Sequence, residues 1–289
     1  MSVHDELGKR MKIYEAVPKM KLVRRMPVAI RLDGKAFHTF THGMQKPFDE
    51  VLIKSMQETM QYLCKNIQGC VLGYTQSDEI TLILVDYKEL NTCAWFDNEV
   101  QKMVSISASM ATMAFNRAFA KNVDEWGRLT FPDWDNGGTD KELDENLLKL
   151  NDVYQKAIEK GAMFDARVFN IPKEEVTNLI LWRQFDATRN SIQMVGQANF
   201  SHNELQGKTC NQIQDMLHEL RNINWNDFPT TQKRGSCCVR NSYAVSTDGI
   251  REEAYIRNTS QPERAWIIDN EIPIFKGEGR KYIDMLVEV

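Results

Sequence analysis

Apolar positions along this chain fall into two spacings. Short apolar runs at 27–32, 71–74 and 80–85, and another at 164–170, read as strands. Elsewhere the apolar residues recur every three to four positions. Val51, Leu52, Met56, Met60 and Leu63 predict a helix over 49–66, entered after Pro47. Small and apolar residues such as Val104, Ala108, Ala111, Phe115 and Ala118 predict a second long helix over 98–122 that packs closely on a sheet. Pro172 opens a third, reaching about residue 194. Strand, helix, hairpin, helix, strand is the order of a split βαβ, ferredoxin-like unit, so the expected class is α+β with an antiparallel sheet. In that fold the first and third strands lie side by side.

Two segments fall outside the minimal unit. Residues 123–161 contain a turn-rich stretch, 131–138, followed by an amphipathic helix over 141–160 carrying Leu143, Leu147, Leu150 and Tyr154 on one side. This reads as an insertion. Beyond residue 199 come a predicted helix over 208–221, a 231–245 segment and a polar, charged tail. The expected organisation is therefore one palm-like domain over 1–199, interrupted at 123–161, with an extension over 200–289 packed on it. No internal repeat or low-complexity segment is present.

Composition narrows the class without naming a chemistry. The 289 residues are 42% apolar and 26% charged, as in an ordinary soluble globular protein, with no apolar run long enough for a bilayer span and no signal-peptide pattern. A cytoplasmic location is expected. The six cysteines form no C-x-x-C pair and have no histidines at zinc spacing, so free thiols are expected rather than a disulfide framework or a structural zinc site. A net charge of −4 excludes coating of nucleic acid by bulk electrostatics. Local patches remain: between Lys9 and Arg25 seven basic residues (Lys9, Arg10, Lys12, Lys19, Lys21, Arg24, Arg25) face one acid, Glu15. On residues alone this arm is equally a solvated surface and a phosphate contact.

Two acids sit where apolar runs end. Asp33 follows the 27–32 run and precedes Gly34, and Asp78 lies in the polar turn between the two hairpin strands. If the first and third strands are neighbours, both carboxylates reach one sheet edge. Two carboxylates and a nearby backbone carbonyl are hard oxygen ligands, which suits Mg²⁺ in nucleotide chemistry. Many nucleotidyl transferases and cyclases use such a palm, an analogy of fold only.

Seven segments in order carry a more specific signal: Leu7-Gly-Lys-Arg-Met-Lys-Ile-Tyr-Glu15, Ile30-Arg-Leu-Asp-Gly-Lys-Ala-Phe-His-Thr-Phe40, Lys46-Pro-Phe-Asp49, Gly73-Tyr-Thr-Gln-Ser-Asp-Glu79, Phe164-Asp-Ala-Arg167, Trp182-Arg-Gln-Phe-Asp186 and Lys233-Arg-Gly235. Together they resemble the tRNA-histidine guanylyltransferases and their bacterial, archaeal and phage relatives, which add nucleotides in the 3′-to-5′ direction. The resemblance implies two Mg²⁺ ions on Asp33, Asp78 and the carbonyl of Gly34, with ATP and GTP as substrates and tRNA as partner. It implies that Lys35, Ala36, Phe37, His38, Lys46 and Asp49 lie on the triphosphate, with Ser77 and Glu79 steadying the metal turn. Arg183, Asp186, Lys233 and Arg234 become candidates for the tRNA 5′ end or a second triphosphate, as do the basic residues of the arm. For Arg183 and Asp186 the plain alternative is an ion pair three apart on one helix. Relatives assemble as tetramers, so a homotetramer is expected as well.

One stretch departs from the family pattern. Eukaryotic members acting on tRNA-histidine carry H-I-N-D-L-Y-N-T shortly after W-R-Q-x-D, whereas residues 188–195 here retain only Asn190 and a conservative Ile192. That departure points to the wider branch, which repairs 5′-truncated tRNAs against the facing strand, rather than to dedicated guanylate addition. A palm-type cyclase and an inactive tRNA-binding protein are the alternatives from other classes.

Overall fold

Both faces of the central strands are buried, and this decides where helices must lie. The computed structural model describes residues 3–131, 144–240 and 265–288. In chain order the elements are α1 (Val3–Ala16), β1 (Val28–Gly34), a single turn α2 (Phe37–Phe40), α3 (Glu50–Asn66), the hairpin β2 (Cys70–Gln76) and β3 (Glu79–Leu84), α4 (Val100–Thr130), α5 (Glu145–Lys160) and β4 (Phe164–Asn170). They continue with α6 (Val176–Asn199), the short α7 (His202–Leu205), α8 (Cys210–Arg221), α9 (Thr230–Arg234), β5 (Ser236–Arg240), β6 (Trp266–Asp269) and α10 (Lys281–Val287).

The sheet order is β4-β1-β3-β2-β5-β6, and every neighbouring pair is antiparallel. Its first four strands are the ferredoxin-like core expected from element order, with β1 beside β3. Beyond β2, the strands β5 and β6 extend the same sheet. Alternation along the strands sorts their side chains between two layers. Ile30, Leu32, Leu82 and Leu84 face α3, α4 and α5, joined by Met60, Phe115 and Tyr154. Ala29, Ile83 and Tyr74 face the other way, against Val176 and Ile180 of α6 and Ile283 of α10. A third cluster, centred on Trp225 and Val195, ties α6 to α8.

Some boundaries differ from the reading of spacing alone. The helix α4 runs to Thr130, so the first eight residues of the expected insertion continue it. Its inner stripe does not stop at residue 122: Phe119 and Val123 are buried in the same core. Pro172 opens a 3₁₀ turn before α6, which reaches Asn199. Residues 132–138 of the turn-rich stretch, the first residues of the expected 141–160 helix and the 241–264 stretch lie outside the described residues.

Asp49 shows how the sheet's helical cover is fastened. Its buried carboxylate caps α3 by accepting from Leu52 N at 2.9 Å, and also accepts from Gln45 N at 3.0 Å and from the Tyr154 hydroxyl of α5 at 2.8 Å. A helix cap contributes about 1 kcal/mol, and stranding a buried hydroxyl costs about 1–3 kcal/mol more. Asp49→Ala is therefore expected to lower unfolding free energy by about 2–4 kcal/mol in urea titration, and Tyr154→Phe by about 1 kcal/mol. Equal losses for the two would show that the cap, not the α5 tether, carries nothing of its own.

Candidate functional site

Antiparallel pairing of β1 with β3 places Asp33 opposite Glu79, one residue from Asp78. On its other side Asp33 pairs with Asp165 of β4. The hairpin closes through Ser77-Asp78, flanked by the paired residues Gln76 and Glu79, and Ser77 takes the left-handed conformation with φ 49°. The Gly34 amide donates to the Asp78 carbonyl at 3.1 Å, fastening the end of β1 to that turn. Both acids thus stand at one sheet edge, as the strand order implied.

Their electrostatics are unfavourable on their own. Burial pushes the Asp78 carboxyl up to about 6, with Asp33 and Glu79 adding to the effect while its own backbone amide and the Ser77 hydroxyl, 3.1 Å from Oδ1, oppose it. Asp33 is also raised, first by burial and then by Glu79 and Asp165, against Arg31 and Arg167. Among the described residues no cation pairs with Asp78, and Arg167 stands 4.0 Å from Asp33. No cluster of three or more histidine, cysteine, aspartate or glutamate side chains at metal spacing occurs among the described residues. A divalent ion at this edge would find two carboxylates and main-chain carbonyls as protein ligands. That donor set fits Mg²⁺, a hard ion that keeps several waters, and the unpaired, half-buried Asp78 is the group a cation would relieve.

Glu79 does not face that edge as a ligand would. It accepts from Arg31 at 2.8 Å and pairs with Arg183, whose Nε and Nη2 approach at 3.0 and 3.2 Å. Arg183 also reaches Asp186 at 2.6 Å, and Asp186 in turn holds Arg189. With its side chain only 4% exposed, Arg183 is a buried strut rather than the expected phosphate contact, and the i,i+3 pairing with Asp186 is the arrangement found. Helix spacing alone cannot distinguish the two, because it says nothing of what lies across from the helix.

The turn after β1 splits its residues between core and surface. Gly34 is required sterically: a Cβ there would stand 2.2 Å from the Phe37 ring. Phe37 is buried among Phe40, Phe115 and Phe164, so its side chain anchors the turn and only its backbone is available to a nucleotide. Ala36 adopts the left-handed conformation that lets the chain reverse there, while Lys35, Ala36 and His38 are exposed. His38 does not pack into the core beside Phe37. Lys46 is exposed at the far end of the loop. Asp49, expected on the triphosphate, spends its carboxylate on internal donors, although the residue borders an adjoining cleft.

That cleft opens beside Ser77 between α3, α6 and α9. Phe48, Leu52 and Met194 give it an apolar wall, and Asn190, Ser191 and Gln232 give it polar groups. The sequence singles out Leu52 as a helix position, Phe48 within the 46–49 segment and Asn190 within the 188–195 stretch, but not as one lining, because the gap between three helices is not a property of any one of them.

The basic residues divide similarly. Lys9, Arg10 and Lys12 stand on α1, whose described side chains are all exposed. Lys21 and Arg24 both bind Asp97, and the Arg25 amide is held by the Asp86 carboxylate at 2.9 Å, with its guanidinium 3.4 Å from the Tyr87 carbonyl. The end of the arm is thereby tied to the body of the protein, with the Arg24 side chain still exposed. Lys233 donates to the Asn226 carbonyl and lies 5.7 Å over the Trp225 ring; burial, then Arg234, lowers its pKa. Arg234 is half-buried, and its carbonyl accepts from the Tyr74 hydroxyl at 2.6 Å.

Comparison with known proteins assigns the family. The Thg1 family model, described as tRNAHis guanylyltransferase, matches residues 8–172. A bacterial Thg1-like protein solved in complex with ATP is 39% identical, with a TM-score of 0.73 over 98% of this chain and 100% of the other. A bacterial Thg1-like structure in complex with GTP is 36% identical, with a TM-score of 0.70 over the same shares. The tRNA(His) guanylyltransferase of Schizosaccharomyces pombe is 26% identical, the match covering 76% of this chain and 77% of that protein. With the family model matching more than half its length and that likeness extending along nearly all of it, the chain belongs to the Thg1 family of tRNAHis guanylyltransferases, and is by that membership a nucleotidyltransferase.

Proposed function

We propose that this protein extends the 5′ end of tRNA in the 3′-to-5′ direction, repairing truncated ends against the facing strand. The observation that carries the reading is the meeting of Asp33 and Asp78 at one sheet edge, joined by the Gly34–Asp78 backbone bond and bordered by the cleft. Departure of residues 188–195 from the histidine-led family motif favours repair over dedicated guanylate addition.

In this mechanism the 5′-monophosphate of the tRNA attacks the α-phosphate of ATP, expelling pyrophosphate and leaving an adenylylated 5′ end. The 3′-hydroxyl of an incoming nucleotide such as GTP then attacks the 5′ phosphate and expels AMP. Asp33, Asp78 and the Gly34 carbonyl would hold two Mg²⁺ ions, which supply charge neutralisation on the phosphates and acidify the attacking hydroxyl. Lys35 and Lys46 bring ammonium groups to the triphosphate, His38 a hydrogen-bond donor, and the turn the amides of Ala36 and Phe37, those of Gly34 and Lys35 being held by the Asp78 and Met163 carbonyls. The cleft beside Ser77 takes the nucleoside, with Asn190 and Gln232 as amide partners for a base edge and Leu52 and Met194 as its apolar wall. Glu79, Arg31 and Arg183 keep the hairpin turn in place. Residues 200–289 act as an extension of the 1–199 catalytic unit, pairing β5 onto β2. A homotetramer is proposed from the family, and tRNA handling fits the cytoplasm; no helix among the described residues is long and apolar enough to cross a membrane.

Extension of a tRNA lacking its 5′ nucleotide, with Mg²⁺, ATP and each nucleotide in turn, tests the reading. Growth is expected only with the nucleotide complementary to the facing base, and Asp33→Ala or Asp78→Ala should reduce it by at least about a hundredfold without unfolding. Guanylate addition confined to full-length tRNA-histidine would restore the narrower activity. Turnover of nucleotide without RNA would point to a cyclase.

The acid pair also makes a stability prediction. The unfolded Asp78 carboxyl ionises near 3.8 and the folded one near 6, so its contribution is greatest below pH 3.8 and is lost as pH rises through 6. At pH 7.5 the metal-free protein carries a penalty of up to about 3 kcal/mol from this group. Asp78→Asn should therefore raise the thermal midpoint of the metal-free protein while removing activity. Mg²⁺ should stabilise the wild type, progressively less below pH 6, and leave the variant unmoved.

The arm supplies a third test. Reversing Lys9, Arg10 and Lys12 to glutamate should weaken tRNA binding and flatten its dependence on salt concentration, leaving nucleotide binding unchanged. Unaltered affinity and slope would make the arm structural.

A further inference from the structure

Two large aromatic side chains stand exposed one helical turn apart on α6: Trp182 and Phe185 are each 53% accessible to solvent. Both lie within the W-R-Q-F-D stretch, yet neither is explained by core packing, which takes Ile180 and Ala187 from the same helix. Exposed aromatics grouped in this way mark an interaction surface rather than leftover apolar area.

What lies against Trp182 indicates the partner. The Arg183 guanidinium is 4.3 Å from the indole centroid and that of Arg31 is 5.4 Å away. Both arginines are held by Glu79, the residue after Asp78 and the register partner of Asp33. Arg31 also lies two residues before Asp33 on β1, so the two side chains leave the same face of the sheet about 7 Å apart along the strand. Arg167, paired with Arg31 across β4, brings another, half-exposed guanidinium to that face. The indole is therefore braced by the network that braces the catalytic turn, and sits one strand step from the acid edge among arginines. A rigid aromatic surface braced by arginines is what an unpaired nucleobase stacks on, and Arg167, the exposed guanidinium of the three, stands at that face for phosphate.

We propose that Trp182, extended by Phe185, is the stacking platform for the nucleobase at the 5′ end of the RNA acceptor, setting that end in register with Asp33 and Asp78. The inference rests on the tRNA reading above. It assigns Trp182 a role in holding the RNA, separate from the cleft beside Ser77 that takes the incoming nucleoside. The alternative occupant of this face is a second copy of the chain.

The test is a binding cycle at fixed salt. Wild type, Trp182→Ala and Trp182→Phe are titrated with a tRNA lacking its 5′ nucleotide, and with the same RNA made abasic at its new 5′ end. Loss of one base–aromatic stack weakens binding about tenfold. Trp182→Ala should show this loss with the intact RNA and none with the abasic RNA, which should already bind the wild type about tenfold more weakly. Trp182→Phe should keep most of the affinity, and binding of ATP and GTP should be unchanged in both variants. Equal losses on intact and abasic RNA would overturn the assignment in favour of a structural role. A change of oligomeric state in Trp182→Ala with undiminished affinity per subunit would overturn it in favour of a contact between copies. If the wild type bound neither RNA, the tRNA reading itself would fall and the platform with it.

Discussion

Antiparallel pairing of β1 with β3 is the constraint on which the proposed chemistry depends. It sets Asp33 opposite Glu79 and one residue from Asp78, and the Gly34 amide secures the contact by donating to the Asp78 carbonyl. Left to their charges, the two acids would separate. Burial of both strand faces resists that, because sliding β1 by one residue would exchange Ile30 and Leu32 with Ala29 and Arg31 between the two packed layers. Register, specified by hydrophobic burial, thus holds together a pair that electrostatics opposes.

A second layer of charge surrounds that pair. Glu79 follows Asp78 but points into a knot with Arg31 and Arg183, and Arg183 continues to Asp186. A buried pair of this kind adds little net stability, since desolvation offsets most of the attraction, whereas removing one partner strands the other. Its consequence here is positional. The turn bearing Asp78 is linked through Glu79 to both β1 and α6, so α6 is coupled to the acid edge and presents Trp182 beside it. The aromatic packing around Phe37 performs the matching task on the other side, anchoring the 34–37 turn from below while Lys35 and His38 remain at the surface.

Much of this was legible from residues in order. Short apolar runs and period-3.6 patterns locate the strands and the principal helices, and strand order follows from their succession. Asp33 before Gly34 and Asp78 in a polar turn are local signals, each at the end of an apolar run, and they need only neighbouring strands to meet. Where spacing failed, the missing information lay across the molecule. The helix α4 passes residue 122 with Val123 buried in the core, and Arg183 is buried because Glu79 lies opposite it.

The sequence by itself determined the fold class, the position of the acid pair along the chain and the family, because each is encoded by short-range pattern and ordered motifs. Only the tertiary structure decided which charged groups remain available. Asp49, Arg183 and Lys233 each look like ligands for phosphate or nucleotide when read in line, yet their polar atoms are taken up by Tyr154, Glu79 and the Asn226 carbonyl respectively. The cleft beside Ser77 and the Trp182 surface also arise between elements distant in sequence. Availability depends on what a side chain meets in space, and those partners lie from 7 to 105 positions away along the chain.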